Sequence, residues 1–172
     1  MLKNQILVLT FVLAITAFNS KSFGQSLDKG ILAGQNGDFE VALQEIQPLA
    51  DQGDPEAQYV LGQLYYQGLG VPQNINKAFR LFRASAEKGV LSAQAAVAMS
   101  YLNGIGTTPD FGRGYLWLLI ASNSGFSEMD EYLQKIEQDM TPIDRMGALG
   151  IAEECRKNGF RFTNSKGSQQ DC

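Results

Sequence analysis

The chain has 172 residues, 18 acidic against 14 basic, and it contains no histidine. That balance excludes the basic grooves nucleic acids require. The usual general base near neutral pH and the usual zinc ligand are both missing, so neither a metal nor a cofactor is expected.

In chain order, the first element is MLKNQILVLTFVLAITAFNSKSFGQS. Lys3 precedes a largely apolar run from Ile6 to Phe18, and no acidic residue occurs before Asp28. Ser22-Phe23-Gly24 then places small residues where a signal peptidase reads. This pattern predicts a secretory signal peptide over 1–24, cleaved before Gln25. An uncleaved anchor is the alternative, although the run is short of the ~20 apolar residues that span a bilayer. Cleavage would remove Lys3 and Lys21, shift the net charge from −4 to −6, and leave residues 25–172, the size of one domain.

From Leu27 onward the chain matches itself at an interval of 36 residues. Gly53 matches Gly89 and Gly125, Ala57-Gln58 matches Ala93-Gln94, and Tyr65 matches Tyr101. Gly68 and Gly70 match Gly104 and Gly106, and Asn74 is answered by Asp110. Such a period signals a solenoid. Each unit reads as two antiparallel helices. Ala57, Leu61, Leu64 and Tyr65 make the apolar face of the first. Asp54-Pro55 starts it with an acidic cap and a proline where no donor is needed. Gly68 ends it in the left-handed conformation. Ala78, Phe79, Leu81, Phe82 and Ala86 face inward in the second, with Gly62 and Ala78 as close contacts between the two. The glycines of GLG, Gly68-Leu69-Gly70, therefore join two helices. A nucleotide loop would instead need them between a strand and a helix.

Upstream, Leu27 to Gly53 supplies an incoming hairpin that turns at Gly37-Asp38. Downstream, Met129 to Met140 reads as a short helix, and Thr141-Pro142-Ile143-Asp144 starts a closing helix in the manner of a capping box. Ile143, Met146, Leu149, Ala152 and Cys155 are expected to line its covered side. Gly147 and Gly150 weaken that helix by about 1 kcal/mol each relative to alanine, which close packing on the stack would offset. The fold expected is all-α: an α-solenoid over 25–160 with a C-terminal capping helix, then a tail over 161–172. Cys155 and Cys172 are the only cysteines. In an oxidising compartment an even pair usually closes, which would tie the tail back and add about 3 kcal/mol less any strain. The alternative is a buried Cys155 and a free terminal thiol.

The unit AQYVLGQLYYQGLGVPQNINKAFRLFRASAEKG, Ala57 to Gly89, resembles the Sel1-like repeat, a relative of the tetratricopeptide repeat. The copy from Ala93 to Gly125 departs at Ala98, Ser100 and Gly114 and is expected to be the looser unit. Gln44 to Gly53 resembles the end of a preceding copy. The tail, with MTPIDRMGALGIAEECRKNGF, resembles that of small exported bacterial members. The resemblance implies a non-catalytic adaptor for a protein or peptide, acting in the periplasm or outside the cell. Some cysteine-rich members act on penicillins, but those carry a cysteine pair in nearly every repeat, and here neither full repeat has one.

Catalytic readings of the residues are weak. Ser85 and Ser122 fall at helical positions with no histidine to activate them. Glu128 and Asp130-Glu131 read as a solvated face, Asp51, Asp54 and Glu56 as a loop cluster, and Lys77 and Lys88 as exposed flanks. The rival functions are an enzyme acting on a cell-wall or β-lactam substrate and a structural subunit of an envelope complex. The residues expected to meet a partner lie on the first helices, which line the inner face of stacked hairpins. They are Tyr59, Gln63 and Tyr66, then Met99 and Leu102 one period on, forming a ladder of Gln63 to Met99 and Tyr66 to Leu102. Met99 and Leu102 suit the core equally well, and Trp117 reads as core.

Overall fold

In the computed structural model of the protein, the described residues are 24, 26–125, 127–138, 140–158, 161–163 and 169–171. Nearly all of the expected leader, residues 1–23, and Cys172 lie outside them.

Three helical hairpins follow one another. Helices α1 (26–35) and α2 (Phe39–Asp51) form the first, α3 (Pro55–Gln67) and α4 (Ile75–Ala86) the second, and α5 (Leu91–Asn103) and α6 (Phe111–Asn123) the third. A 3-10 turn, Ser127–Met129, leads into α7 (Asp130–Glu137), and α8 (Pro142–Lys157) closes the stack. Each helix from α2 to α6 packs on the next, whereas α8 packs on α6 rather than pairing with α7. Beyond it, β1 (Arg161–Thr163) and β2 (Gln169–Asp171) pair antiparallel, with Phe162 opposite Gln170. The tail thus forms a small ribbon that the apolar periodicity did not signal. The all-α solenoid stands as expected.

Local chemistry sets the helix ends. The Asp54 carboxylate accepts from the Ala57 amide at 2.8 Å, and Asn74 and Asp110 cap α4 and α6 in the same way at 2.9 Å. Val90, at the start of α5, has no capping side chain. Gly68 (φ 73°) and Gly104 (φ 70°) end α3 and α5 left-handed, as the sequence predicts. The second glycine of each loop has another task. A Cβ on Gly106 would stand 2.5 Å from the Ile75 carbonyl oxygen, and one on Gly70 2.8 Å from the Phe39 Cβ. Each loop therefore lies directly on the second helix of the preceding unit, and only glycine admits that approach.

Two apolar clusters form the core. One holds Ala42, Ile46, Leu49, Ala57 and Leu61; the other runs from Ala78 through Trp117 and Leu118 to Ala152 and Cys155. Tyr65 packs against both. Trp117 is fully buried. The expectation for α8 needs correction. Ala152 and Cys155 are buried, but Ile143, Met146 and Leu149 are 81%, 74% and 42% exposed. Gly147 and Gly150 meet nothing within 4 Å of a built Cβ. The side that docks on α6 carries Ala148, Ile151, Ala152 and Cys155, about a quarter-turn from the stripe inferred from spacing. Both stripes are apolar at helical intervals, so periodicity alone chose between them wrongly.

Candidate interaction site

Four of the five residues expected to meet a partner surround one cleft. Tyr59, Gln63 and Tyr66 of α3 and Met99 of α5 line a space of about 270 Å³, with Phe82 of α4 beneath and Ala96, Ser100 and Ile105 on the far wall. The Phe82 ring lies 5.7 Å from Tyr59 and 6.5 Å from Tyr66, centroid to centroid. Gln63 donates an amide hydrogen to the Tyr59 hydroxyl at 3.0 Å, which orients its carboxamide at the rim.

Gly62 places Phe82 there. A Cβ at Gly62 would come within 2.6 Å of the ring, so only glycine lets the ring pass α3 and floor the cleft. One period on, Ala98 supplies the methyl group and Leu118 replaces the aromatic ring. Both are fully buried, so the two changes offset each other.

Leu102 does not join the cleft. A Cβ on Gly114 would stand 2.6 Å from Leu102 Cγ, and Leu102 is packed against the core. The counterpart of Gly114 in the preceding unit is Ala78. There Tyr66 stays 40% exposed at the rim. The ladder from Tyr66 to Leu102 is broken because Gly114 opens a seat that draws Leu102 into the α5–α6 contact. That change from alanine to glycine is visible in the sequence, but its effect required the helix crossing.

Several of the residues weighed for chemistry have structural partners. The Ser85 hydroxyl donates to the Pro55 carbonyl at 2.7 Å, and Ser122 donates to Asp130 at 2.6 Å. Asp51 accepts from Gln47. Lys77 is not an exposed flank: it is half-buried, its ammonium 2.6 Å from the Tyr65 hydroxyl and 4.0 Å from the ring centroid. Lys88 is exposed but donates to the Gly53 carbonyl and to Gln58. Burial and the acceptor Glu137 push the Tyr115 hydroxyl up to about 12. This is a structural bond of 2.9 Å between α6 and α7. Among the described residues no group of three or more carboxylate or thiol side chains is placed to hold a metal ion. No described helix is long and apolar enough to cross a membrane.

A second cleft, also of about 270 Å³, opens on the other flank of α3. Gly30, Ile31, Gly34 and Gln35 of α1 face Val60, Gln63, Leu64 and Gln67 of α3 across it, with Phe39, Ala42 and Ile46 of α2 and Leu69 completing the lining. The sequence did not single it out, because the partial first unit lacks the repeat's signature positions. Ser26 and Lys29 of α1 donate to the Glu45 carboxylate of α2, at 2.6 and 2.5 Å. The Lys29 bond, then the Ser26 bond, lower the Glu45 pKa.

The family model described as Sel1 repeat matches residues 55–90 and 91–126, which are the α3–α4 and α5–α6 hairpins with their closing glycines. The chain carries two Sel1 repeats. Such repeats are generally protein-interaction scaffolds. Two solved structures share the architecture. One is a protective antigen of uropathogenic Escherichia coli with an SLR fold: TM-score 0.68, 22% identity, 80% of this chain and 30% of that one. The other is a Sel1 repeat protein from Oxalobacter formigenes: TM-score 0.59, 26% identity, 62% of this chain and 44% of that one. In sequence, the alginate biosynthesis protein AlgK of Pseudomonas aeruginosa is 25% identical over 78% of this chain and 36% of its own length. Chitin synthase regulatory factor 3 of Schizosaccharomyces pombe is 27% identical over 76% and 14%. The chain thus spans about a third or less of these curated relatives.

Proposed function

We propose that this Sel1-repeat protein is a non-catalytic, exported adaptor that holds a protein or peptide partner against its first helices, α1, α3 and α5. One observation carries the reading: Tyr59, Gln63, Tyr66 and Met99 converge from two repeats on one cleft. Tyrosine and methionine on a rim supply adaptable contact area with a polar or polarisable handle. Export rests on the basic, apolar and small-residue pattern of residues 1–24, with cleavage before Gln25. In that compartment Cys155 and Cys172 would bridge and hold the ribbon against α8.

The test is site-specific photocrosslinking in the native envelope, with the photoreactive residue at 66, at 99, or at the exposed Arg80 of α4. One protein captured from positions 66 and 99 but not from 80 supports the groove. Equal capture from all three, or from 80 alone, places the partner elsewhere and ends this assignment. Two relatives are named for alginate biosynthesis and for regulation of chitin synthase, so components of polysaccharide-synthesis assemblies are the first captures to look for.

A further inference from the structure

The two clefts are halves of one surface. Gln63 and Gln67 line both, so α3 is a ridge with two carboxamides on its crest and an apolar cleft on each flank. No lysine, arginine, aspartate or glutamate lines either cleft, although charged residues make up 19% of the chain. An occupant carrying charge into either cleft would lose hydration and gain no counter-ion there. The occupant is therefore neutral where it touches α3.

Spacing narrows its conformation. Packed helices lie about 8–10 Å apart, so clefts on opposite flanks of α3 are separated by about 10 Å. A polyproline II chain advances about 3.1 Å per residue with three residues per turn, so side chains i and i+3 share a face about 9.3 Å apart. Same-face side chains of a β-strand fall at about 7 or 13 Å. An α-helix reaches about 10.5 Å at i+7, but its backbone groups are bonded internally and leave the carboxamides little to read. A polyproline II backbone has no internal hydrogen bonds and offers its carbonyls to glutamine donors. The cleft between α3 and α5 is walled by Tyr59 and Tyr66 over Phe82, and aromatic walls suit pyrrolidine rings and the residues beside them.

We propose that the α3 ridge reads an uncharged, proline-rich segment of a partner protein in polyproline II conformation. Its apolar side chains at i and i+3 are seated in the two clefts, and Gln63 and Gln67 bond the backbone between them. This deepens the adaptor assignment and rests on it.

The test titrates the full chain with fluorescein-labelled, uncharged proline dodecapeptides bearing two leucines, spaced i,i+3 in one and i,i+2 in the other, followed by anisotropy. The i,i+3 peptide is expected to bind roughly tenfold tighter, the step that about 1.4 kcal/mol gives. Its affinity should change less than about twofold between low and high salt, since no ion pair is screened. Gln63→Ala with Gln67→Ala should weaken it about tenfold, and Arg80→Ala should not. Equal binding of the two spacings, loss of binding at high salt, or no binding of either peptide overturns the proposal. The spacing comparison needs no variant, so a misfolded mutant cannot obscure it. If both peptides fail while photocrosslinks from 66 and 99 still capture one protein, the groove stands and the polyproline chemistry falls. If the crosslinks fail too, both fall.

Discussion

Gly62 and Phe82 form a pair whose logic shows when they are set beside Ala98 and Leu118. A methyl group at 62 would press on the Phe82 ring at 2.6 Å, and overpacking of that kind costs about 1–3 kcal/mol. Shortening Phe82 to leucine should relieve it, since Ala98 already tolerates Leu118. Unfolding of Gly62→Ala, Phe82→Leu and the double variant should therefore show a favourable coupling of about 1 kcal/mol; strictly additive losses would mean the two do not share the space. A second repeated pair has lost a member. Gln58 donates to the Ala50 carbonyl and accepts from Lys88. Gln94 makes the matching bond to Ala86 at 3.4 Å, but its buried carbonyl oxygen has no partner. The position matching Lys88 is Ser124, too short to reach. Ser124→Lys is expected to satisfy that oxygen and raise stability by about 1 kcal/mol, read from the thermal midpoint. An unchanged or lower midpoint would show that the lysine does not bridge.

At the level of elements, α8 and α7 are held by different means. Tyr115 of α6 donates to Glu137 of α7 at 2.9 Å. Arg145 of α8 donates to the Glu137 backbone carbonyl at 2.6 Å and lies 3.6 Å from its carboxylate, an ion pair without a hydrogen bond through Nε. The Tyr115 pKa rises from an ordinary 10.0 to about 12 in the fold. Its contribution is therefore whole below pH 10 and is lost as pH climbs through 12. The two-unit difference corresponds to about 2–3 kcal/mol. Relative to Tyr115→Phe, the native chain should lose about that much stability between pH 9 and pH 12; parallel pH curves would contradict it. The apolar residues of α8 separate in the same manner. Ile143→Ser and Met146→Ser, on the uncovered stripe, should each change stability by less than about 0.5 kcal/mol. Ala152→Leu, at 3% exposure, should cost about 1–3 kcal/mol. Denaturant midpoints that rank the three the other way would return α8 to the face inferred from its spacing.

Across the whole molecule, stability adds from neighbour to neighbour, and the joint between the two apolar clusters is Tyr65. Its ring touches both clusters, while Lys77 covers it and donates to its hydroxyl. Tyr65→Ala should cost about 3 kcal/mol and uncouple the halves, so that calorimetry resolves two transitions where the native chain gives one. A single lowered transition would show that the loops seated by Gly70 and Gly106 carry the coupling without it. The same geometry leaves α3 flanked by clefts on both sides, because the central hairpin has a neighbour at each end.

The amino-acid sequence by itself determined the hairpin count of the full repeats, their ends and their order. These depend on local rules: side-chain caps, left-handed glycines, and apolar residues that recur at an interval of 36 residues. It also placed Tyr59, Gln63, Tyr66 and Met99 near one another, since residues one period apart lie on adjacent helices. Tertiary structure alone decided that Leu102 sinks over Gly114, that α8 turns Ile143 and Met146 outward, and that a second cleft opens beside α1. Each of these depends on the angle and depth at which two helices meet. Side-chain volumes on both partners set that angle together, and one segment's periodicity carries only half of the information.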